Sequence, residues 1–174
     1  EIARMKGKNI VVESLRKLMA EQIAIYKCTN VVQATTFSEK ITLLMNTYYN
    51  GLITNEEVIK ELLKTAEEIN ALRKEGEKLG LTEEELAFYD ALTKPEHIKD
   101  FYENETLIAL TRELTEMLRK NRTIDWQKKE TARAGMRKMV KRLLKKYKYP
   151  PEKREDAIET VMSQCELWTD NMAE

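Results

Sequence analysis

The side chains able to carry chemistry are few. The only histidine, His97, stands between Glu96 and Ile98 in a polar stretch. A catalytic triad needs a histidine with two defined partners, so any such arrangement would rest on His97. Its setting reads instead as a surface position at a helix start. The two cysteines, Cys28 and Cys165, are far apart, and Cys28 has no Cys or His near it. Zinc needs about four clustered ligands, so both thiols read as reduced, part-buried small hydrophobes. Carboxylates recur in Glu56/Glu57, Glu67/Glu68 and Glu83 to Glu85, mostly at helix starts, where the helix dipole favours negative charge. They read as solvated faces. No glycine-rich phosphate loop, dinucleotide fingerprint, nucleophile elbow or His-Glu-x-x-His occurs. No catalytic, cofactor or metal residue is therefore assigned.

One charge distribution stands out. From Lys128 to Lys148 run Lys128, Lys129, Arg133, Arg137, Lys138, Lys141, Arg142, Lys145, Lys146 and Lys148, opposed only by Glu130. On a helix, Arg133, Arg137, Lys141 and Lys145 share one face. Lys138, Arg142 and Lys146 form the adjacent row. Three readings stay open: a phosphate-binding ridge, a dock for an acidic protein surface, or a solvated face partly neutralised by Glu152, Glu155, Asp156 and Glu159.

Helices must position that ridge. Apolar residues recur at helical spacing from about Asn9 to Tyr26, and again through Ile41, Leu44, Met45 and Tyr48. Thr36–Glu39, Thr54–Glu57 and Thr82–Glu85 each match a capping box. Asn50-Gly51 breaks one helix, and Gly80 fits the left-handed position beyond another. Thr93-Lys-Pro-Glu96 predicts a helical start with Pro95 in its first turn. Leu107, Leu110, Leu114, Met117 and Leu118 form a stripe that lapses near Asn121. Asp125 to Tyr147 reads as one helix, capped by Asp125 and anchored by Trp126. Pro150-Pro151 stops it and seeds a last helix through Leu167.

No stretch alternates strictly, and only 5 glycines and 3 prolines punctuate 174 residues. The expectation is all-α: a bundle of about seven to nine helices with short connections and no significant sheet. One domain over residues 1–174 is the simplest division, with 170–174 as a frayed tail. Lys and Arg total 30, as do Asp and Glu, so net charge excludes no partner class. No apolar run approaches the ~20 residues of a membrane span. Because the chain opens on Glu1, it reads as a piece of something longer.

Three separated motifs also resemble one family. Arg122-Thr-Ile-Asp-Trp-Gln, followed by Ala132 to Pro151, resembles the end of type I restriction enzyme R subunits, with its Asp-Trp dipeptide, Arg-x-x-Met-Arg-x-x-Val-Lys-Arg-Leu-Leu helix and Tyr-Pro-Pro close. Asn30-Val-Val-Gln-Ala with Phe37-Ser-Glu, and Leu79 to Leu92, are similar to two further family segments. The resemblance spans about Asn9 to Leu167. It implies the helical C-terminal region of a subunit whose upstream nuclease and motor domains hold the ATP, the magnesium and the chemistry. Residues 1–8 would then be a linker from those domains. It implies assembly with modification and specificity subunits in a bacterial or archaeal cytoplasm, and a position close to translocating DNA. The alternative role is a DNA-guiding helical module. Arg133, Arg137, Lys138, Lys141, Arg142, Lys145 and Lys146 are the candidate docking or DNA-contact surface. Asp125, Trp126, Tyr149, Pro150 and Pro151 are the structural motif, carried over with Met136, Val140 and Leu143.

Overall fold

The computed structural model describes residues 2–123 and 125–171, with side chains from Asn9 onward. Eight α-helices and one 3₁₀ turn account for the fold, with no strand among the described residues. The all-α expectation holds.

The chain clusters into two compact units. The first contains α1 (Ile2–Thr29) as far as Lys27, α2 (Val31–Tyr49) from Gln33, and α3 (Asn55–Lys78). Its core is Val12, Met19, Ile23, Phe37, Ile41, Met45, Val58, Leu62 and Ile69. These positions recur four or seven residues apart along their helices, so each helix contributes one apolar stripe. Gly51 turns between α2 and α3 at φ +70°, a conformation cheap only for glycine. Thr54 then caps α3: its Oγ1 accepts from the Glu57 amide at 3.2 Å, and Glu57 accepts from the Thr54 amide at 2.7 Å.

The second unit joins residues 28–32 to the chain from Leu79 onward. It contains α4 (Glu83–Thr93), α5 (Ile98–Phe101), α6 (Asn104–Asn121), the 3₁₀ turn Trp126–Lys128, α7 (Glu130–Lys146) and α8 (Pro151–Asn171). Its core runs from Leu81 and Phe88 through Leu107, Leu110, Leu114 and Leu118 to Val140, Leu144, Ile158, Val161 and Cys165. The Thr82–Glu85 capping box forms as the spacing predicts.

Three local readings need correction. Thr36 and Glu39 lie inside α2, where the i−4 carbonyls already serve the backbone amides and no cap is needed. Before them only Asn30 separates α1 from α2. Gln164 makes this possible: its Nε2 donates to Thr29 O at 2.9 Å and its Oε1 accepts from Val31 N at 2.8 Å. One buried amide thus serves both loose helix ends. Thr93 ends α4 rather than starting a helix, its hydroxyl donating back to Tyr89 O. His97 then turns the chain at φ +65° into the short α5. Finally, Asp125 to Tyr147 is not one helix. Lys129 is extended between the 3₁₀ turn and α7, because Trp126 drops into the core while Gln127 donates to Glu166 O at 2.9 Å.

The tail assigned to 170–174 is helical at Asp170 and Asn171; residues 172–174 lie outside those described.

Candidate docking and DNA-contact face

Helix α7 places its apolar stripe, Met136, Val140, Leu143 and Leu144, inward. Its end is fixed by a Schellman pattern. The Lys148 amide donates to Lys145 O at 3.0 Å and the Tyr149 amide to Leu144 O at 2.8 Å, with Lys148 in the left-handed region at φ +56°. Pro150 follows, where a helix cannot continue. Tyr149 is fully buried, and its hydroxyl donates to Leu92 O at 2.5 Å. Pro150 is buried and Pro151 opens α8. The Lys-Tyr-Pro-Pro segment is thus a corner that sets α8 against α7.

That corner divides the basic ridge. Arg137 donates to Glu159 at 2.5 Å and Glu155 at 2.9 Å, and Lys141 donates to Glu155 at 3.1 Å. Arg133 lies 2.5 Å from Glu166 as an ion-pair contact without hydrogen-bond alignment. Lys146 donates to Glu113 of α6 at 2.6 Å. The cations on both flanks of α7 therefore fasten it to α8 and α6. Lys138, Arg142 and Lys145 remain exposed, on the side opposite the buried stripe. The sequence reading placed Lys145 with Arg133, Arg137 and Lys141, but it falls with the outward row.

The pairs shape the local titrations. Glu159, then Glu155, raise the Arg137 guanidinium. Lys141, then Arg137, hold Glu155 below the ordinary carboxylate value. Lys146 and Tyr147 do the same for Glu113. The Tyr147 phenol, donating to Glu113, is pushed up to about 12.

For Glu113 and Glu155 the folded value lies below the unfolded one, so the unfolded chain binds protons first. Their stabilisation is present above the ordinary carboxylate pKa and disappears as pH falls through the folded values. The melting temperature should drop on acidification below about pH 4.5, and the drop should shrink in the double variant E113Q/E155Q. An unchanged acid limb in that variant would mean these pairs do not couple to folding.

Asp125 occupies the left-handed region at φ +64° with no side-chain cap bond, and pairs with Lys128 at 3.1 Å. Trp126 is fully buried, its Nε1 donating to Thr169 Oγ1 at 3.0 Å. His97 is exposed beside Asp100. Cys28 is exposed and Cys165 buried. Sequence reasoning missed Trp168, which meets Phe88 edge-on at 5.5 Å and lies under Arg122 at 4.2 Å. Its large apolar area was the available signal; its partners, all distant in sequence, were not readable. Among the described residues no three of His, Cys, Asp and Glu gather as a metal site. Among the described residues no helix is long and apolar enough to cross a membrane.

Fold and surface together define a helical module in which several ion pairs tie one helix to another. Its sequence assigns it further. The chain belongs to the family described as "Type I restriction enzyme HindI endonuclease subunit-like, C-terminal", which it matches over residues 1–171. It is 42% identical over 159 residues to the type I restriction enzyme HindI endonuclease subunit of Haemophilus influenzae, covering 91% of this chain and 15% of that protein. It is 33% identical over 147 residues to a putative type I restriction enzyme MjaIXP endonuclease subunit of Methanocaldococcus jannaschii, covering 84% of this chain and 14% of the other. The chain thus spans about one-seventh of the length of these curated relatives. No solved structure matches it.

Proposed function

We propose that this chain is a non-catalytic assembly domain that joins a type I endonuclease subunit to the modification and specificity subunits of its complex. The observation that carries the reading is an uncovered apolar stripe on α1. Val11, Leu18 and Ile25 recur seven residues apart and are 46%, 56% and 50% exposed. Seven residues is close to two helical turns, so the three share one face. Exposed Ile10 widens the apolar surface, while Glu13, Arg16, Lys17 and Glu21 supply a charged rim. An apolar centre inside a polar rim is the composition of a protein interface. The relatives are named as subunits, so a partner for such a face is expected.

ATP, magnesium and DNA cleavage belong, in this reading, to the longer protein that the relatives represent, working in the cytoplasm. The test is co-purification of the full-length protein with its modification and specificity subunits. The double variant L18E/I25E should lose the complex by at least tenfold in affinity while keeping its helical circular dichroism. Full complex formation by the variant would refute docking through α1. ATPase or nuclease activity lost on changing His97 would refute the non-catalytic assignment.

A further inference from the structure

Removing the paired cations from α7 leaves one row. Lys138, Arg142 and Lys145 are exposed, and no ion pair to them occurs among the described residues. At 3.6 residues per turn they lie within about 60° of arc, and about 10 Å separates the first from the last. They face away from Met136, Val140, Leu143 and Leu144. Toward the helix start the same strip continues through Thr131, Ala134 and Gly135, all exposed. A Cβ on Gly135 would meet nothing within 4 Å. The strip therefore has neither a carboxylate nor a large apolar side chain.

That composition separates two kinds of partner. Protein interfaces concentrate their energy in aromatic, Met and Arg anchors, and their centres are poor in lysine. Here two of three charges are lysines and nothing beside them can fill a pocket. A phosphate backbone asks for less: cations on a smooth ridge with no competing acid. Duplex DNA presents one negative charge per about 1.7 Å of axis, so several phosphates lie within reach of a row this long.

We propose that the outer row of α7 contacts the sugar-phosphate backbone of duplex DNA without reading sequence. Arg133, Arg137, Lys141 and Lys146 are excluded from this role because their charge is spent on α8 and α6. The row lies on a different helix from the α1 stripe, so this contact stands or falls independently of docking.

The test is the salt dependence of DNA binding by the full-length protein, measured by anisotropy on two unrelated duplexes. Three phosphate contacts contribute about 2.7 to the slope of log affinity against log salt. The variant K138Q/R142Q/K145Q should lose about that much slope on both duplexes. K138R/K145R should keep it. K60Q/K64Q/K74Q, which removes three exposed lysines from α3, should keep it too. Retained helical circular dichroism in each variant separates charge from folding. An unchanged slope in the first variant overturns the proposal. So does an unchanged slope with loss of the modification and specificity subunits, which would assign the row to an acidic protein surface. An equal loss in the α3 variant would also overturn it, since only total charge would then matter.

Discussion

Trp126→Ala is expected to destabilise the second unit by about 3–5 kcal/mol, the range for truncating a fully buried aromatic side chain. The indole is 0% exposed. It enters the core from a 3₁₀ turn held by few local bonds, and its Nε1 donates to Thr169 on α8. Without the ring, the turn loses its reason to leave the helical path and α8 loses a neighbour. Trp126→Phe keeps most of the apolar contact and removes the hydrogen bond, so it should cost about 1–3 kcal/mol. Urea unfolding, read by circular dichroism, gives both numbers. A loss under about 1 kcal/mol for the alanine variant would mean that the site collapses without cost and that Trp126 does not anchor this core.

A second large effect is expected in alkali. Cys165 is fully buried on α8, and burial pushes its thiol up to about 12 from the ordinary 9.0. The folded pKa is the higher one, so the unfolded chain releases its proton first. The stabilisation from keeping a neutral thiol is present below pH 9.0 and is lost as pH rises through the folded value. At about 1.4 kcal/mol per unit, the loss approaches about 4 kcal/mol by pH ~12. Burial also raises Tyr149, and its loss adds to that of Cys165 above its own ordinary value. Cys165→Ala, at a position too small to leave a large cavity, should flatten the fall between about pH 9 and 10, before the tyrosines contribute. Denaturant midpoints across that window decide the matter: parallel curves for the two proteins would rule out the thiol as the source.

These two expectations differ in how far the sequence anticipates them. The burial of Trp126, Phe88, Tyr89 and Leu92 follows from apolar spacing and side-chain area alone. The thiol of Cys165 also reads as a part-buried hydrophobe, but full burial, and so the size of its shift, depends on what α8 packs against. The capping boxes sharpen the contrast. Thr54–Glu57 and Thr82–Glu85 form, whereas Thr36–Glu39 does not, although all three carry the motif. A box works only where the preceding residue leaves the helix, and α2 begins earlier because Gln164, more than a hundred residues away, satisfies both ends of the break at Asn30.

The basic helix shows the same division. Its existence, its inward stripe and its stop at Tyr149-Pro150-Pro151 can be read along the chain, since helical period and proline geometry are local properties. Which of its cations remain available cannot. Grouping by fours placed Lys145 with Arg133, Arg137 and Lys141; the fold pairs those three with α8 and leaves Lys145 with Lys138 and Arg142.

The sequence by itself determined the helical class, most helix stops, the core stripes and the family, because each depends on residue type and short-range spacing. The tertiary structure alone decided where Trp126 interrupts the helical path, how Asn30 is spanned and which charges face outward, because each depends on a partner brought close from a distant part of the chain.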